Sequence, residues 1–332
     1  MFFKLLKDAL KVKNVRNKIF FTLFIILVFR IGTHITVPGI NAKSLEQLGE
    51  LPFLNMLNLV SGNAMSNFSV FSMGVSPYIT ASIIVQLLQM DILPKFVEWS
   101  KQGEVGRRKL NQATRYISLV LAFVQSIGIT AGFNTLSNIS LVSTPNVKTY
   151  LLIGALLTTG SMIVTWLGEQ ITDKGFGNGV SMIIFAGIIS SIPNAISTIY
   201  EDFFVNVRSS DLLSSYIFVA LLVVAVLAIV FFTTFVQQAE YKIPIQYTKL
   251  VQGAPTSSYL PLKINPAGVI PVIFASSITT IPSTIIPLIS NGKDIPWLTT
   301  LESFLNYQTP SGMVVYAVLI ILFFILLYFC AS

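Results

Sequence analysis

Residues 212–235 read LLSSYIFVALLVVAVLAIVFFTTF and contain no charged side chain over 24 positions. A helix of about 20 apolar residues crosses the ~30 Å hydrocarbon core of a bilayer. This stretch therefore predicts a membrane-spanning helix. Comparable apolar runs recur on both sides of it along the chain, so we predict an all-α polytopic membrane protein.

The composition supports this fold class. Of the 332 residues 53% are apolar and only 11% are charged, whereas soluble domains average about 25% charged residues. The net charge of +7 does not indicate nucleic-acid binding, because the basic residues lie in the connections between apolar runs. Lysine and arginine in such connections set the orientation of a protein in the membrane.

We predict eight spans. The first is interrupted by Arg30, the fifth is short for a bilayer, and the seventh is broken by prolines 271, 282 and 287. In chain order they cover about 19–35, 72–93, 116–133, 150–167, 180–192, 212–235, 267–289 and 313–330.

Sixteen lysines and arginines fall on one side of this topology and four on the other, apart from Arg30. By the positive-inside rule, the N-terminus and the connections after spans two, four and six are cytoplasmic. We accordingly expect residues 1–18 to form a cytoplasmic basic N-terminus and residues 236–263 a cytoplasmic loop.

The stretch at 54–74, LNMLNLVSGNAMSNFSVFSMG, is too polar to face lipid and too apolar to be a free loop. One interpretation is an interfacial or re-entrant helix at the surface. The other is a short helix folded back into a cavity, since irregular backbone is tolerated at membrane depth only inside protein or beside water.

Catalytic and coupling motifs are missing from the sequence. It has no GxxxxGK[ST] loop, no HExxH, and a single histidine, His34. The carboxylates Asp91 and Glu169 lie at the ends of spans, so no mid-span carboxylate indicates ion-coupled transport. We therefore expect neither an enzyme nor a bound metal or cofactor.

Four stretches carry a resemblance to the bacterial SecY family. They are GVSPYITASIIVQLL at 74–88, KQGEVGRRKLNQATRY at 101–116, GEQITDKGFGNGVSMIIFAGI at 168–188 and NPAGVIPVIFASSI at 265–278. They follow the family order and fall on the expected sides of the membrane.

The resemblance implies a clamshell of inverted repeats around an hourglass pore, in the bacterial cytoplasmic membrane. The N-terminal half would be residues 19–192, holding spans one to five, and residues 212–332 would be part of the C-terminal half. Family members usually continue through two further spans, so eight of ten spans would be present here. The segment at 54–74 is similar to the family's plug.

Four isoleucines match the family's pore ring: Ile79, Ile83, Ile188 and Ile273. Their pattern alone predicts ordinary helix packing, although Ile79 and Ile83 share a helix face. The polar residues Gln86, Gln125, Ser126 and Thr279 would latch the lateral gate; interhelical hydrogen bonding is the alternative. Partner docking would fall to the basic residues of two cytoplasmic loops: Arg107, Arg108, Lys109, Lys242 and Lys249.

The function implied is a passive protein-conducting channel with lateral release of apolar segments into lipid. The implied partners are SecE, SecG, the SecA ATPase, the ribosome, signal sequences and unfolded secretory chains. Two other hypotheses remain open at this point. One is a secondary transporter with a midplane site, and the other is a non-conducting assembly fragment.

Overall fold

The computed structural model describes residues 11–41, 61–62, 64–89, 93–136, 142, 146–205, 212–245, 258–263, 268, 271–272, 275–276, 279, 297, 300–301, 304 and 309–331. Most of these residues are helical. In chain order the helices are α1 Lys13–Gly32, α2 Ser76–Leu88, α3 Pro94–Lys101, α4 Gly103–Leu136, α5 Val147–Lys174, α6 Gly179–Tyr200, α7 Leu212–Gln238 and α8 Pro310–Ala331.

Helices occupy seven of the eight predicted spans. The seventh span, with Pro282 and Pro287, lies mostly outside the described residues. Four helical stretches of the described chain are long and apolar enough to cross a membrane: Gly103–Ala131, Val147–Lys174, Gly179–Val205 and Leu213–Gln238. Ser76–Leu88 and Pro310–Leu326 are shorter apolar helices.

Three boundaries differ from the prediction. Helix α4 begins at Gly103, so most of the expected loop at 101–116 is helical; its Arg, Lys, Leu, Gln and Ala residues all favour helix. Helix α6 continues through Pro193 to Tyr200 and into a π-helical turn at Glu201–Val205. Helix α2 is shorter than expected, because residues 72–75 belong to a turn.

The loop predicted at 236–263 contains an antiparallel hairpin, which was not predicted. Strand β1, Glu240–Ile245, pairs with β2, Ser258–Lys263, with Glu240 opposite Lys263. Each strand includes a proline, and prolines are tolerated in such a sheet because both of its strands are edges.

The described residues divide into two compact units. One lies within Met1–Pro193 and Ser276–Tyr316, and the other within Asn194–Ala275 and Ala317–Ser332. In the first unit α2, α3 and α5 pack on α4, and α1 packs on α5. The second unit contains the hairpin and α7, which packs on the π-helical turn.

Small residues permit the close helix packing of the first unit. A Cβ atom added to Gly154 of α5 would lie 2.9 Å from Ile127 Cγ1 of α4. Beside it, Ser126 Oγ lies 3.1 Å from the Gly154 carbonyl oxygen and donates to it. Small and hydroxylated residues at such contacts are typical of helix interfaces in membranes, where backbones must approach closely to gain dispersion energy.

Candidate functional site: a buried turn segment among apolar helices

Shortly before α2 the described part of the chain lies in the protein interior and consists mainly of turns. We call residues 61–62 and 64–75 the buried turn segment. Ala64, Phe68 and Ser69 have 0% of their surface exposed. The backbone is left-handed at Gly62 (φ 68°), Phe68 (φ 40°) and Gly74 (φ 53°), and such residues interrupt a helix. The sequence predicted an interfacial helix or a short folded-back helix over 54–74. Residues 54–60 and 63 of that stretch lie outside the described residues, and the described part forms mainly turns.

Several backbone groups of the buried turn segment form hydrogen bonds to protein groups. The Val37 N–H donates to the Phe68 carbonyl at 3.1 Å, and the Val70 N–H donates to the Ile35 carbonyl at 2.9 Å. Ser72 Oγ lies 2.8 Å from the Ala64 carbonyl oxygen and 2.6 Å from that of Ser69. These bonds allow irregular backbone to lie at membrane depth, because each unpaired polar group in hydrocarbon would cost several kcal/mol.

Two apolar clusters anchor the side chains of the segment. Met65, Phe68 and Met73 pack with Ile153 and Leu157 of α5. Phe71 and Val75 belong to a second cluster, in which the Phe71 ring stacks on Phe29 of α1, with centroids 6.1 Å apart and planes 6° from parallel. The segment is thus enclosed by α1 on one side and α5 on the other.

Two glycines leave room for the segment. A Cβ atom at Gly32 would lie 2.0 Å from the Phe71 ring, and one at Gly160 of α5 would lie 1.9 Å from the Val70 carbonyl oxygen. One position beyond Gly160, Ser161 Oγ donates to the Gly74 carbonyl at 2.9 Å. Helix α5 therefore presents a glycine and a hydroxyl donor to the backbone of the buried turn segment.

The packing is imperfect in its polar groups. Ser61 Oγ and Ser69 Oγ are buried and have no hydrogen-bond partner within the part of the chain that the structure describes. Leaving a buried hydroxyl unpaired costs about 1–3 kcal/mol. These two hydroxyls therefore offset part of the stabilisation that the apolar contacts give to the buried conformation of the segment.

Arg30 contacts the same segment. Its Nη1 atom donates to the Gly62 carbonyl at 2.6 Å and to Ser190 Oγ of α6 at 3.2 Å. From the sequence alone, Arg30 is identified only as an interruption of the first span. The signal that could have identified it is general: an ionisable residue within a span indicates a functional site and a partner.

The predicted pore-ring residues lie in different environments. On α2, Ile83 is buried and the half-buried Ile79 packs against the cluster that contains Phe71 and Val75. Ile188 of α6 is 44% exposed, and Ile273 lies outside the described residues. Ile79 therefore shares an apolar cluster with Phe71 and Val75 of the buried turn segment, and the ring stays a prediction.

The predicted gate residues are dispersed over several helices. Gln86 is exposed on the last turn of α2, and Gln125 is half-buried on α4. Buried Ser126 bonds the backbone of α5, as described above, and Thr279 Oγ1 donates to the Ser276 carbonyl at 3.0 Å. The hydrogen bond of Ser126 joins α4 to α5, as expected if this residue serves in interhelical hydrogen bonding. The gate role of the four residues stays a prediction.

The predicted docking residues of the first loop extend from the α4 helix. Arg107, Arg108 and Lys109 are exposed on its first turns, and Lys109 Nζ donates to Gln102 Oε1 at 3.2 Å. In the hairpin, exposed Lys242 has its Nζ 4.7 Å from the centre of the Tyr259 ring. Lys249 lies outside the described residues.

An ion pair not predicted from the sequence joins α4 and α5. Arg115 Nε lies 2.8 Å from Glu169 Oε1, and its Nη2 lies 2.7 Å from Oε2. This two-pronged geometry is the strong form of a charge-assisted hydrogen bond. It links α4 to α5, one of the two helices that enclose the buried turn segment.

Comparison with known proteins decides the family. The SecY family model matches residues 69–331. The protein translocase subunit SecY of Streptococcus gordonii is 75% identical over 324 residues, which cover 97% of this chain and 74% of the relative. The chain belongs to the SecY family. This is a family of membrane-embedded translocase subunits that form channels and are not enzymes.

Two solved channel structures have the same fold at low identity. The first is a SecY channel whose plug domain stabilises the closed state and maintains a membrane seal; its TM-score is 0.57 at 17% identity. The match covers 82% of this chain and 59% of that one. The second is canine Sec61 in a ribosome–channel complex from the endoplasmic reticulum, with a TM-score of 0.58, 17% identity, and coverage of 82% and 60%. The SecY-like fold expected from the sequence is confirmed.

Proposed function

We propose that this chain forms the pore-lining part of the Sec protein translocase in a bacterial cytoplasmic membrane. It conducts unfolded secretory chains across the membrane and releases apolar segments sideways into lipid. The observation that carries the proposal is the buried turn segment. A closed channel needs a segment that fills the pore and can leave it, and this segment is buried but has two serine hydroxyls without a hydrogen-bond partner among the described residues. Ile79 packs against the apolar cluster to which Phe71 and Val75 of the segment belong, and this supports a position of the filling beside the proposed ring.

We assign the buried turn segment the role of the plug. The seal in the resting state rests on its apolar contacts with α1 and α5. Its release is favoured by the two unpaired serine hydroxyls, which regain hydrogen bonds when water reaches them. A plug needs both properties, since a segment with every polar group paired would be harder to displace.

The proposed ring consists of Ile79, Ile83, Ile188 and Ile273. Branched aliphatic side chains form a hydrophobic constriction that excludes ions by dewetting, and their conformational freedom admits an extended polypeptide. Gln86, Gln125, Ser126 and Thr279 would line the lateral gate. Neutral amides and hydroxyls suit this role, because interhelical hydrogen bonds in membranes contribute only about 0.6–2 kcal/mol each.

The proposed orientation places the N-terminus in the cytoplasm, where most basic residues then lie. Arg107, Arg108 and Lys109 would meet the SecA motor or the ribosome from the start of α4, and the hairpin with Lys242, together with Lys249, would present a second surface. SecE and SecG would complete the membrane complex. The exposure of these basic side chains on α4 and β1 supports the assignment.

Photocrosslinking tests the channel proposal. A photoreactive residue replaces Ile83 in proteoliposomes containing SecE and SecA, and a stalled secretory precursor serves as the translocating chain. The matched control carries the same residue at Leu221, which is 64% exposed on α7. We expect an ATP-dependent adduct at position 83 and none at 221.

Equal adducts at the two positions would contradict the placement of the ring. If neither position reacts while a full-length relative does, the chain has the architecture of a channel without its activity. That result would favour the assembly-fragment hypothesis.

A further inference from the structure

Arg30 lies among apolar residues near the end of α1, in the sequence LFIILVFRIG. A cation in this position could extend to the membrane interface or interact with the helix C-terminus. Instead, the Arg30 side chain is half-buried, and its Nη1 atom donates a hydrogen bond to the Gly62 carbonyl. The guanidinium is therefore committed to the buried turn segment.

The contact also connects the segment to α6. The same Nη1 atom bonds Ser190 Oγ, and Ser190 Oγ in turn donates to the Gly187 carbonyl at 2.7 Å. A Cβ atom at Gly62 would lie 3.0 Å from Gly187 Cα, so the two backbones touch at this point. Arg30 thus bridges α1, the buried turn segment and α6 at this close approach.

The partners of Arg30 are neutral. Over the described ranges of the chain, no carboxylate forms a salt bridge with it. A hydrogen bond from a charged donor to a carbonyl is stronger than one between two neutral groups. When the Gly62 carbonyl moves away, however, no second charged group is left buried without a partner. Such a bond can open when the segment moves and the guanidinium becomes hydrated, whereas breaking a buried ion pair would strand both ions.

We propose that Arg30 is the positioning residue that latches the buried turn segment to α6 in the closed state. This inference rests on the proposed plug role of that segment. Arg30 would hold the end of the segment at Gly62, while packing against α5 holds the end at Gly74. Opening would then require loss of the arginine contact before or together with the apolar contacts.

The accessibility of residue 69 reports the position of the segment. Ser69 is fully buried and cysteine is nearly the same size, so S69C in a background with the single native cysteine replaced, C330S, provides one thiol. We measure its rate of labelling by a membrane-impermeant maleimide in proteoliposomes. The variants are R30Q, R30K and S190A, and the matched control is R16Q, which alters an exposed arginine on the same helix.

We expect R30Q to raise the labelling rate on the order of tenfold or more, as for the loss of a charged hydrogen bond. R30K should have a smaller effect because it keeps the charge. S190A, which keeps Arg30 itself, should raise the rate roughly threefold, as for a neutral partner. R16Q should leave the labelling rate unchanged. A stalled precursor should raise the labelling rate in every variant whose rate is low without the precursor.

Three results would overturn parts of this picture. If R30Q labels as slowly as R16Q while the precursor still accelerates labelling, the plug role stands and the latch is wrong. If the precursor never accelerates labelling, the plug role itself fails. If R30Q labels faster only with a matching loss of thermal stability, and S190A has no effect, Arg30 is a folding residue and not a latch.

Discussion

Helices α5 and α7 are both long and apolar, yet they meet opposite surroundings. In α5, 56% of the apolar window is buried inside the protein, and in α7 none of it is. The buried helix contains glycine, serine and threonine at its contacts, including Gly160, Ser161 and Thr165. The exposed helix contains mostly leucine, valine and phenylalanine.

The difference teaches which residues build a core in a membrane. In water, burial follows apolarity because the hydrophobic effect drives it. In lipid, a leucine gains little by moving from lipid chains to protein, so close backbone approach and hydrogen bonds determine association. Helix α5 has the small and hydroxylated residues that pack on the buried turn segment, whereas the apolar side chains of α7 are exposed, as expected of a helix that faces lipid.

Enlarging the α5 contact with the buried turn segment should have a larger effect than removing a hydroxyl from it. In G160V the new side chain would meet the Val70 carbonyl, and backbone cannot move aside as a flexible side chain can. We expect a loss of about 3 kcal/mol, the upper range for overpacking, measured by unfolding in mixed detergent micelles. The control A228V, on the exposed face of α7, should change the unfolding free energy by less than about 0.5 kcal/mol. Equal losses in the two variants would contradict the contrast between the helices.

Removing one hydroxyl tests the polar part of the contact. S161A loses the hydrogen bond to the Gly74 carbonyl and should lower stability by about 1 kcal/mol. It should also accelerate labelling of S69C. In the control T233V on α7, the lost hydroxyl donates only within its own helix. A larger loss in T233V than in S161A would show that hydroxyls act here mainly through their own helix.

The smallest effect is expected in the lipid-facing helix. Leu221 is 64% exposed on α7, so L221A should change the unfolding free energy by less than about 0.5 kcal/mol. The same substitution at buried Leu157 of α5, L157A, should cost about 2–5 kcal/mol, because it leaves a cavity. A substantial loss in L221A would mean that α7 has a protein partner on that face, and crosslinking from position 221 would then identify it.

Several structural features were predictable from residues alone. Apolar length located α4, α5, α7 and α8, because hydrogen bonding within a helix is the way a single segment satisfies its backbone in lipid. The mixed polarity of 54–74 left two interpretations open, an interfacial helix and a helix enclosed in a cavity, and most of its described residues are buried. The ends of α4 and α6 were less predictable, since helix continues beyond the hydrocarbon boundary wherever propensity allows it.

The sequence by itself determined the fold class, the order of the spans, the charge asymmetry and the resemblance to the SecY family. These features depend on composition and on local sequence patterns, and neither requires knowledge of the tertiary contacts. Only the tertiary structure decided that Arg30 reaches Gly62 and Ser190, 32 and 160 positions away. It also decided that Gly32 and Gly160 face the buried turn segment. Such contacts depend on how separate helices pack, and no periodicity within one helix specifies the partner across the interface.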